Sequence, residues 1–180
     1  MPKSVLIIST SPRKNSNSDA LAEAFAEGAR AAGHVVKKVS LRDKTLNFCK
    51  GCLSCQKTLR CVQQEDAWTI VQDMCHADVV CFATPVYYYA VCGQLKTLLD
   101  RANPLFPADY AFRDVYLLAS AAEDDPKAMD GAVSDLEGWI ACFPKSRLAG
   151  VVRGTGVTAA GDIQKRPDVL QASRSLGERC

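Results

Sequence analysis

The first glycine of this 180-residue chain is Gly28. The N-terminal region therefore cannot hold a Walker-type phosphate loop, which needs Gly-x-x-x-x-Gly-Lys-Ser/Thr. Long apolar runs are also missing. Val5 to Ile8 is a run of only four residues, too short for the core of a secretory leader and far too short to cross a bilayer, so no membrane association is expected. Positive charge is not concentrated anywhere. The net charge is +2, and neither a long basic run nor a basic helix face occurs, which argues against a nucleic-acid partner. Histidine is scarce: His34 and His76 are the only two, and each flanks the start of an expected strand in a structural position. No Ser-His-Asp set and no converging carboxylate pair can be assembled, so hydrolysis has no support and no residue is singled out as catalytic. Repeats, low-complexity tracts and linkers are absent too, and residues 1–180 read as one domain.

What is present is a regular alternation of apolar runs and helical periodicities. Ser4 to Ser9 is a continuous apolar run of the kind expected of a strand covered on both faces. A helix capped by Asn17 or Ser18 runs to about Ala32, with Gly33 as its stop. Val35 to Leu41 reads as a second strand, and Glu65 to Cys75 as a helix. Ala77 to Thr84 is a third strand, followed by a helix over Gln94 to Ala102. Asp114 to Ala119 is a fourth strand, followed by a single helix over Pro126 to Cys142. Ser146 to Val152 is a fifth strand, and Asp168 to Glu178 a closing helix. Strands separated by helices imply βαβ units, hence an α/β fold with a parallel sheet and helices on both faces.

In such sheets ligands bind beyond the carboxyl ends of the strands, near the point where strand order reverses. The first such loop, Ser9-Thr10-Ser11-Pro12-Arg13-Lys14-Asn15-Ser16-Asn17-Ser18, is rich in hydroxyls and amides and feeds a helix N-terminus. Free backbone N–H groups and the helix dipole there suit a phosphate. A solvated, well-capped turn is the plainer alternative. Gly154-Thr-Gly156-Val-Thr-Ala159 fits a dinucleotide fingerprint, but Gly161, Asp162 and Pro167 interrupt any helix behind it. It reads as a loop without a ligand role.

This loop and the segment Thr84 to Arg101 resemble the NADPH-dependent FMN reductase group of flavodoxin-like proteins. Ser11-Pro-Arg-Lys-Asn-Ser-Asn-Ser18 matches the family's phosphate loop, with Thr10 where a glycine usually stands. Thr84 to Tyr87, Gln94-Leu-Lys96 and Asp100-Arg101 match its second motif. The resemblance implies a five-stranded sheet of order 2-1-3-4-5 and bound FMN. Ser11, Arg13, Ser16, Asn17 and Ser18 would hold the phosphate, and Pro85, Val86, Tyr87 and Tyr88 would line the ring. Ser120 to Asp124 would complete the pocket. Tyr87 to Tyr89 have an alternative role as core or subunit-interface aromatics. The implied activity passes electrons from NAD(P)H through FMN to a quinone, flavin or other small acceptor, in a homodimer or homotetramer.

Nine cysteines are many for this length, and nothing directs export, so a reducing cytoplasmic setting is expected. Cys49, Cys52, Cys55 and Cys61 lie close together within residues 46–62, while Cys75, Cys81, Cys92 and Cys142 read as small buried hydrophobes and Cys180 as an exposed terminal thiol. The close set is a poor zinc pattern, because two separated Cys-x-x-Cys knuckles are missing. Its compact spacing suits an iron-sulfur cubane and resembles the iron-sulfur flavoproteins. That resemblance implies a 4Fe-4S cluster and an electron carrier with a ferredoxin-like partner. Free thiols, including a thiol-based redox sensor, and zinc are the other readings.

Overall fold

Apolar strands and amphipathic helices alternate as their sequence periodicities require, in a computed structural model that describes residues 1–180. The strands are β1 (Ser4–Ser9), β2 (Val35–Ser40), β3 (Val79–Tyr87), β4 (Ala90–Val91), β5 (Asp114–Ser120) and β6 (Arg147–Gly154). Five of them run parallel in the order β2-β1-β3-β5-β6, which is the expected 2-1-3-4-5 arrangement. The sixth is a departure: β4 pairs antiparallel with the end of β3. The helices are α1 (Asn17–Ala31), α2 (Ser54–Thr58), α3 (Asp66–His76), α4 (Gly93–Arg101), α5 (Asp130–Ile140) and α6 (Pro167–Glu178).

The two-residue period of a strand explains why the apolar runs are continuous. Along β1, Val5 and Ile7 join one buried cluster with Leu21, Phe25 and Ala29 of α1 and Val169 of α6. Leu6 and Ile8 point the other way, into a larger cluster with Ile70 and Met74 of α3, Leu95 and Leu98 of α4 and Leu136 of α5. Strands β3 and β5 divide in the same manner, Cys81 and Leu118 to the first cluster and Phe82 and Leu117 to the second. Burying each such side chain contributes about 1.5–3 kcal/mol, so a charge on either face of β1 would have no outlet to water.

Three expectations change. The single helix over Pro126–Cys142 is instead a tight 3-10 turn, Pro126–Met129, followed by α5. The Asp125 carboxylate accepts from the Lys127 N–H at 2.9 Å and fixes that turn. Cys180 is buried rather than exposed, because the C-terminus folds back on the sheet. There its carbonyl lies 3.1 Å from His34 Nε2, while His34 Nδ1 accepts from the Lys3 N–H. Cys142 is exposed instead of buried. No helix is long and apolar enough to cross a membrane.

Candidate functional site

The loop between β1 and α1 turns its hydroxyls inward. Ser11, Ser16 and Ser18 are buried although each is polar. Ser16 caps α1, its Oγ accepting from the Asp19 N–H at 3.1 Å. Ser11 Oγ accepts from the Arg13 N–H at 3.2 Å, and the Ser16 and Ser18 hydroxyls lie 3.5 Å apart. The first N–H groups of α1 have no intrahelical carbonyl to reach, and the helix dipole adds positive potential there. Asp19 would oppose that potential, but Lys38 answers it at 2.7 Å. Burial pushes the Asp19 carboxyl up, yet its bonds with Lys38 and Ser9 outweigh this and hold it below the usual carboxylate range.

The Asn17 side chain ties the loop to its neighbour. Its Nδ2 donates to the carbonyls of Val157 at 3.2 Å and Ala159 at 3.0 Å, and its Oδ1 accepts from the Ile163 N–H at 3.1 Å. The amide is thus committed to the loop after β6, which leaves its backbone for a ligand. Arg13 makes the same connection, Nη1 donating to the Thr158 carbonyl at 3.0 Å.

These contacts close one side of a cleft of about 220 Å³. Ser11, Arg13, Ser16, Asn17 and Ser18 form one wall, Pro85, Val86 and Tyr87 the other, and Ser120 part of the floor. The two walls are tied together below the cleft. Thr10 donates from its N–H and its hydroxyl to the Ala83 carbonyl, at 2.9 and 3.0 Å. Cys92 Sγ lies 3.1 Å from Thr10 Oγ1 and 3.4 Å from Thr84 Oγ1.

Two expected residues lie outside the cleft. Tyr88 stands almost wholly in solvent at the tip of the β3–β4 turn. Asp124 packs its carboxylate against Gly156, because the loop after β5 leans onto the loop after β6 through Gly156 N–H to Glu123 O at 2.9 Å and Val157 N–H to Ala121 O at 3.0 Å. Ala122, from the expected loop Ser120 to Asp124, does line the cleft, and Val157 and Thr158 line it without having been expected there. Val157 and Thr158 belong to the Gly154–Ala159 segment. The available signal was topological: in a parallel sheet every strand delivers its following loop to one edge, the last strand included. A larger groove of about 610 Å³ lies between α1 and α6, but Asp19, Glu23 and Glu27 line it. An acidic lining does not suit a phosphate.

The cysteine-rich segment after β2 has another construction. Cys49 and Cys52 are exposed, Cys61 half-buried and Cys55 buried. Each of three sulfurs has its own donor: Gly51 N–H to Cys49 at 3.4 Å, Asn103 Nδ2 to Cys55 at 3.4 Å and Arg101 Nη2 to Cys61 at 3.2 Å. The Cys52 thiol is held below its usual range by the backbone N–H and the hydroxyl of Ser54. No three of these groups converge as metal ligands in this arrangement, although burial and then the charges of the neighbouring Cys61 and Cys49 push the Cys55 thiol up.

A family described as NADPH-dependent FMN reductase matches residues 4–157. An iron-sulfur flavoprotein of Archaeoglobus fulgidus is 36% identical over 94 residues, covering 52% of this chain and 43% of that protein. The chain spans about half the length of the curated relatives it matches in this way. The NAD(P)H:quinone oxidoreductase from Methanothermobacter marburgensis superposes with a TM-score of 0.73 at 18% identity, over 99% of this chain and 97% of that one. An FMN-dependent NADH-azoreductase from Bacillus anthracis, solved in complex with FMN, superposes with a TM-score of 0.73 at 15% identity, over 99% of each chain. At such identities the superpositions establish the flavodoxin-like fold alone. With the family match covering most of its length, the chain belongs to the NADPH-dependent FMN reductase family.

Proposed function

We propose that this chain binds FMN in the cleft between the β1 loop and the end of β3, and works as an NAD(P)H-dependent oxidoreductase. The observation that carries the reading is the set of buried hydroxyls at the α1 N-terminus, opposite the wall of Pro85, Val86 and Tyr87. Ser11, Ser16 and Ser18, the Arg13 guanidinium and the backbone of Asn17 are the donors a phosphate monoester needs. Pro85, Val86 and Tyr87 offer a flat, largely apolar wall to the ring, and Ser120 a hydroxyl at the floor. FMN, when bound, supplies the electron chemistry, so the absence of a general base or nucleophile is no obstacle. The protein's own residues orient the ring and keep the site's polar groups satisfied. Overall, NAD(P)H and one proton reduce a quinone to hydroquinone and leave NAD(P)⁺; a flavin or another small acceptor takes the same place.

Anaerobic mixing tests this directly. NADPH should bleach the flavin absorbance of the FMN-loaded protein, and a quinone should restore it. A flavin left oxidised by both NADPH and NADH would contradict the reading.

A second reading, an electron carrier serving a ferredoxin-like partner, draws support from the iron-sulfur flavoproteins among the relatives and from the four-cysteine run. It needs the thiols to gather around a cluster. Iron and sulfide in anaerobically purified protein, with reduction by ferredoxin and not by NAD(P)H, would favour it. The exposed Phe48, Leu53, Leu59 and Val62 support association into a homodimer or homotetramer, and the cysteine-rich composition supports a reducing cytoplasmic setting.

A further inference from the structure

A second cavity opens on the other side of the loop after β1. Ser11 and Arg13 line the cleft described above, whereas Pro12 between them lines a separate cavity of about 440 Å³. It lies between the chain leaving β2 and the start of α4. Arg42, Lys44 and Phe48 come from the first side, Gly93 and Thr97 from the second, and no carboxylate is among the lining side chains. The volume falls within the roughly 300–1,000 Å³ of small-molecule sites.

The start of α4 offers donors to this cavity. Its N-cap residue, Cys92, gives no side-chain cap, because the sulfur is turned towards Thr10 and Thr84 instead. The first bond of the helix is Lys96 N–H to Cys92 O at 3.1 Å, so the N–H groups ahead of it have no carbonyl within the helix. A Cβ on Gly93 would meet nothing within 4 Å, so the helix start faces open space. One turn on, Thr97 is only 8% exposed, yet its hydroxyl has no hydrogen-bond partner in the chain. Every fully enclosed polar side-chain atom does have one, so the Thr97 hydroxyl must reach the cavity that it lines. Leaving such a hydroxyl unbonded is costly, and an oxygen-rich ligand would satisfy it.

The opposing wall is cationic and aromatic. Arg42 pairs with no carboxylate but that of its neighbour Asp43, at 3.4 Å, and Lys44 reaches Asp66 at 3.2 Å; neither partner lines the cavity. Phe48, 80% exposed, adds a ring to the same wall. We propose that this cavity is a second phosphate site, separate from the cleft, for a nucleoside phosphomonoester. Arg42 and Lys44 answer the charge, the α4 N–H groups and the Thr97 hydroxyl donate to the phosphate oxygens, and Phe48 stacks on the base. Two sources carry this chemistry, the 2′-phosphate of NADPH and a free mononucleotide. Only the first of them rests on the oxidoreductase reading above.

The test is calorimetric titration with adenosine 2′-monophosphate, adenosine 5′-monophosphate and adenosine, in saturating FMN so that the first phosphate site is filled. At least one monophosphate should bind about tenfold or more tightly than adenosine, as several charge-assisted bonds require. Arg42→Ala with Lys44→Ala should abolish that advantage while FMN affinity and melting temperature hold, since both side chains are partly exposed. Thr97→Val, which keeps the side chain's shape, should weaken the same monophosphate by about three- to tenfold and tests the site independently of the double variant. Competition sorts the sources. Displacement by NADPH, with a raised KM for NADPH but not for NADH in the double variant, assigns the phosphate to the cosubstrate. Monophosphate binding that NADPH does not displace assigns it to a free nucleotide, and either result upholds the site. Monophosphates that bind no better than adenosine, or whose advantage survives both sets of substitutions, would overturn it. A flavin that NAD(P)H fails to reduce would sink the oxidoreductase reading and the first source with it, whereas the site itself is judged by binding alone.

Discussion

The loop after β1 and the segment after β2 leave neighbouring strands at the same carboxyl edge of the sheet, yet they are held in opposite ways. The first is organised from within. Its serines are buried, they cap α1 and each other, and Asn17 and Arg13 fasten it to the loop after β6. The second is held from outside. It leaves Phe48, Leu53, Leu59 and Val62 in solvent and depends on the buried Arg101 of α4, which donates to Asn47 O at 2.8 Å, Gln63 O at 3.0 Å and Cys61 Sγ, and pairs with Glu65. Its short helix α2 is bounded by Leu53 and Leu59, both at φ 56°. A loop built from inward donors lines a cleft; one held from outside, chiefly by Arg101 with Asn103 as a second tie to Cys55 and Gln56, presents surface and thiols.

The largest expected effect follows from the buried Arg101. Arg101→Ala leaves the Glu65 carboxylate largely buried and unpaired, and should cost about 3–5 kcal/mol in chemical denaturation. A cost near zero would mean that the Asn103 contacts hold the segment without Arg101. The matching change in the first loop, Arg13→Ala with Ser16→Ala, should weaken FMN binding by roughly 30- to 150-fold, corresponding to about 2–3 kcal/mol of charge-assisted and hydroxyl contacts. About 1 kcal/mol of stability should be lost as well, since Ser16 is a helix cap. Equilibrium binding monitored by flavin fluorescence separates the two effects.

A smaller effect concerns the thiols. Under alkylation at neutral pH, the exposed Cys49, Cys52 and Cys142 should react first, and Cys81 and Cys92 only on unfolding, as mass spectrometry of the labelled peptides would show. Ser54→Ala removes one donor to the Cys52 sulfur and should slow that residue by a few-fold, about two to five. The smallest effect lies in the sheet beneath both loops. Burial pushes the Tyr116 phenol up to about 12 from its ordinary value of 10. Between those values the folded chain keeps a proton that the unfolded chain releases, so stability contributed below pH 10 is lost as pH rises towards 12. Tyr116→Phe should flatten that alkaline decline in thermal denaturation without altering FMN affinity.

The sheet was legible because its two-sided burial writes continuous apolar runs into β1, β3 and β5, and because the helices carry their own periodicity and stops. The first wall of the cleft was legible for a related reason: hydroxyl and amide residues crowd the strand-to-helix turn, where chain order alone places a ligand. Other parts left no local trace. β4 is two residues long and follows Tyr88 and Tyr89, which carry none of the glycine or asparagine that marks such a turn. Val157 and Thr158 reach the cleft only because Asn17 and Arg13, distant in sequence, hold their carbonyls. Asp124 is drawn away by Gly156, a contact between two loops that no spacing reveals. The cysteine spacing suggests converging ligands, whereas the fold gives three of the sulfurs separate donors from Gly51, Asn103 and Arg101.

The central claim, that the loop after β1 is a phosphate site for FMN, is tested most directly by comparing FMN with riboflavin, which differs only in lacking the phosphate. Titrated into flavin-free protein, FMN should bind roughly 100-fold more tightly than riboflavin, the value of several charge-assisted hydrogen bonds to one dianion. Equal affinities would contradict the account and place the phosphate away from Ser11, Arg13, Ser16 and Ser18.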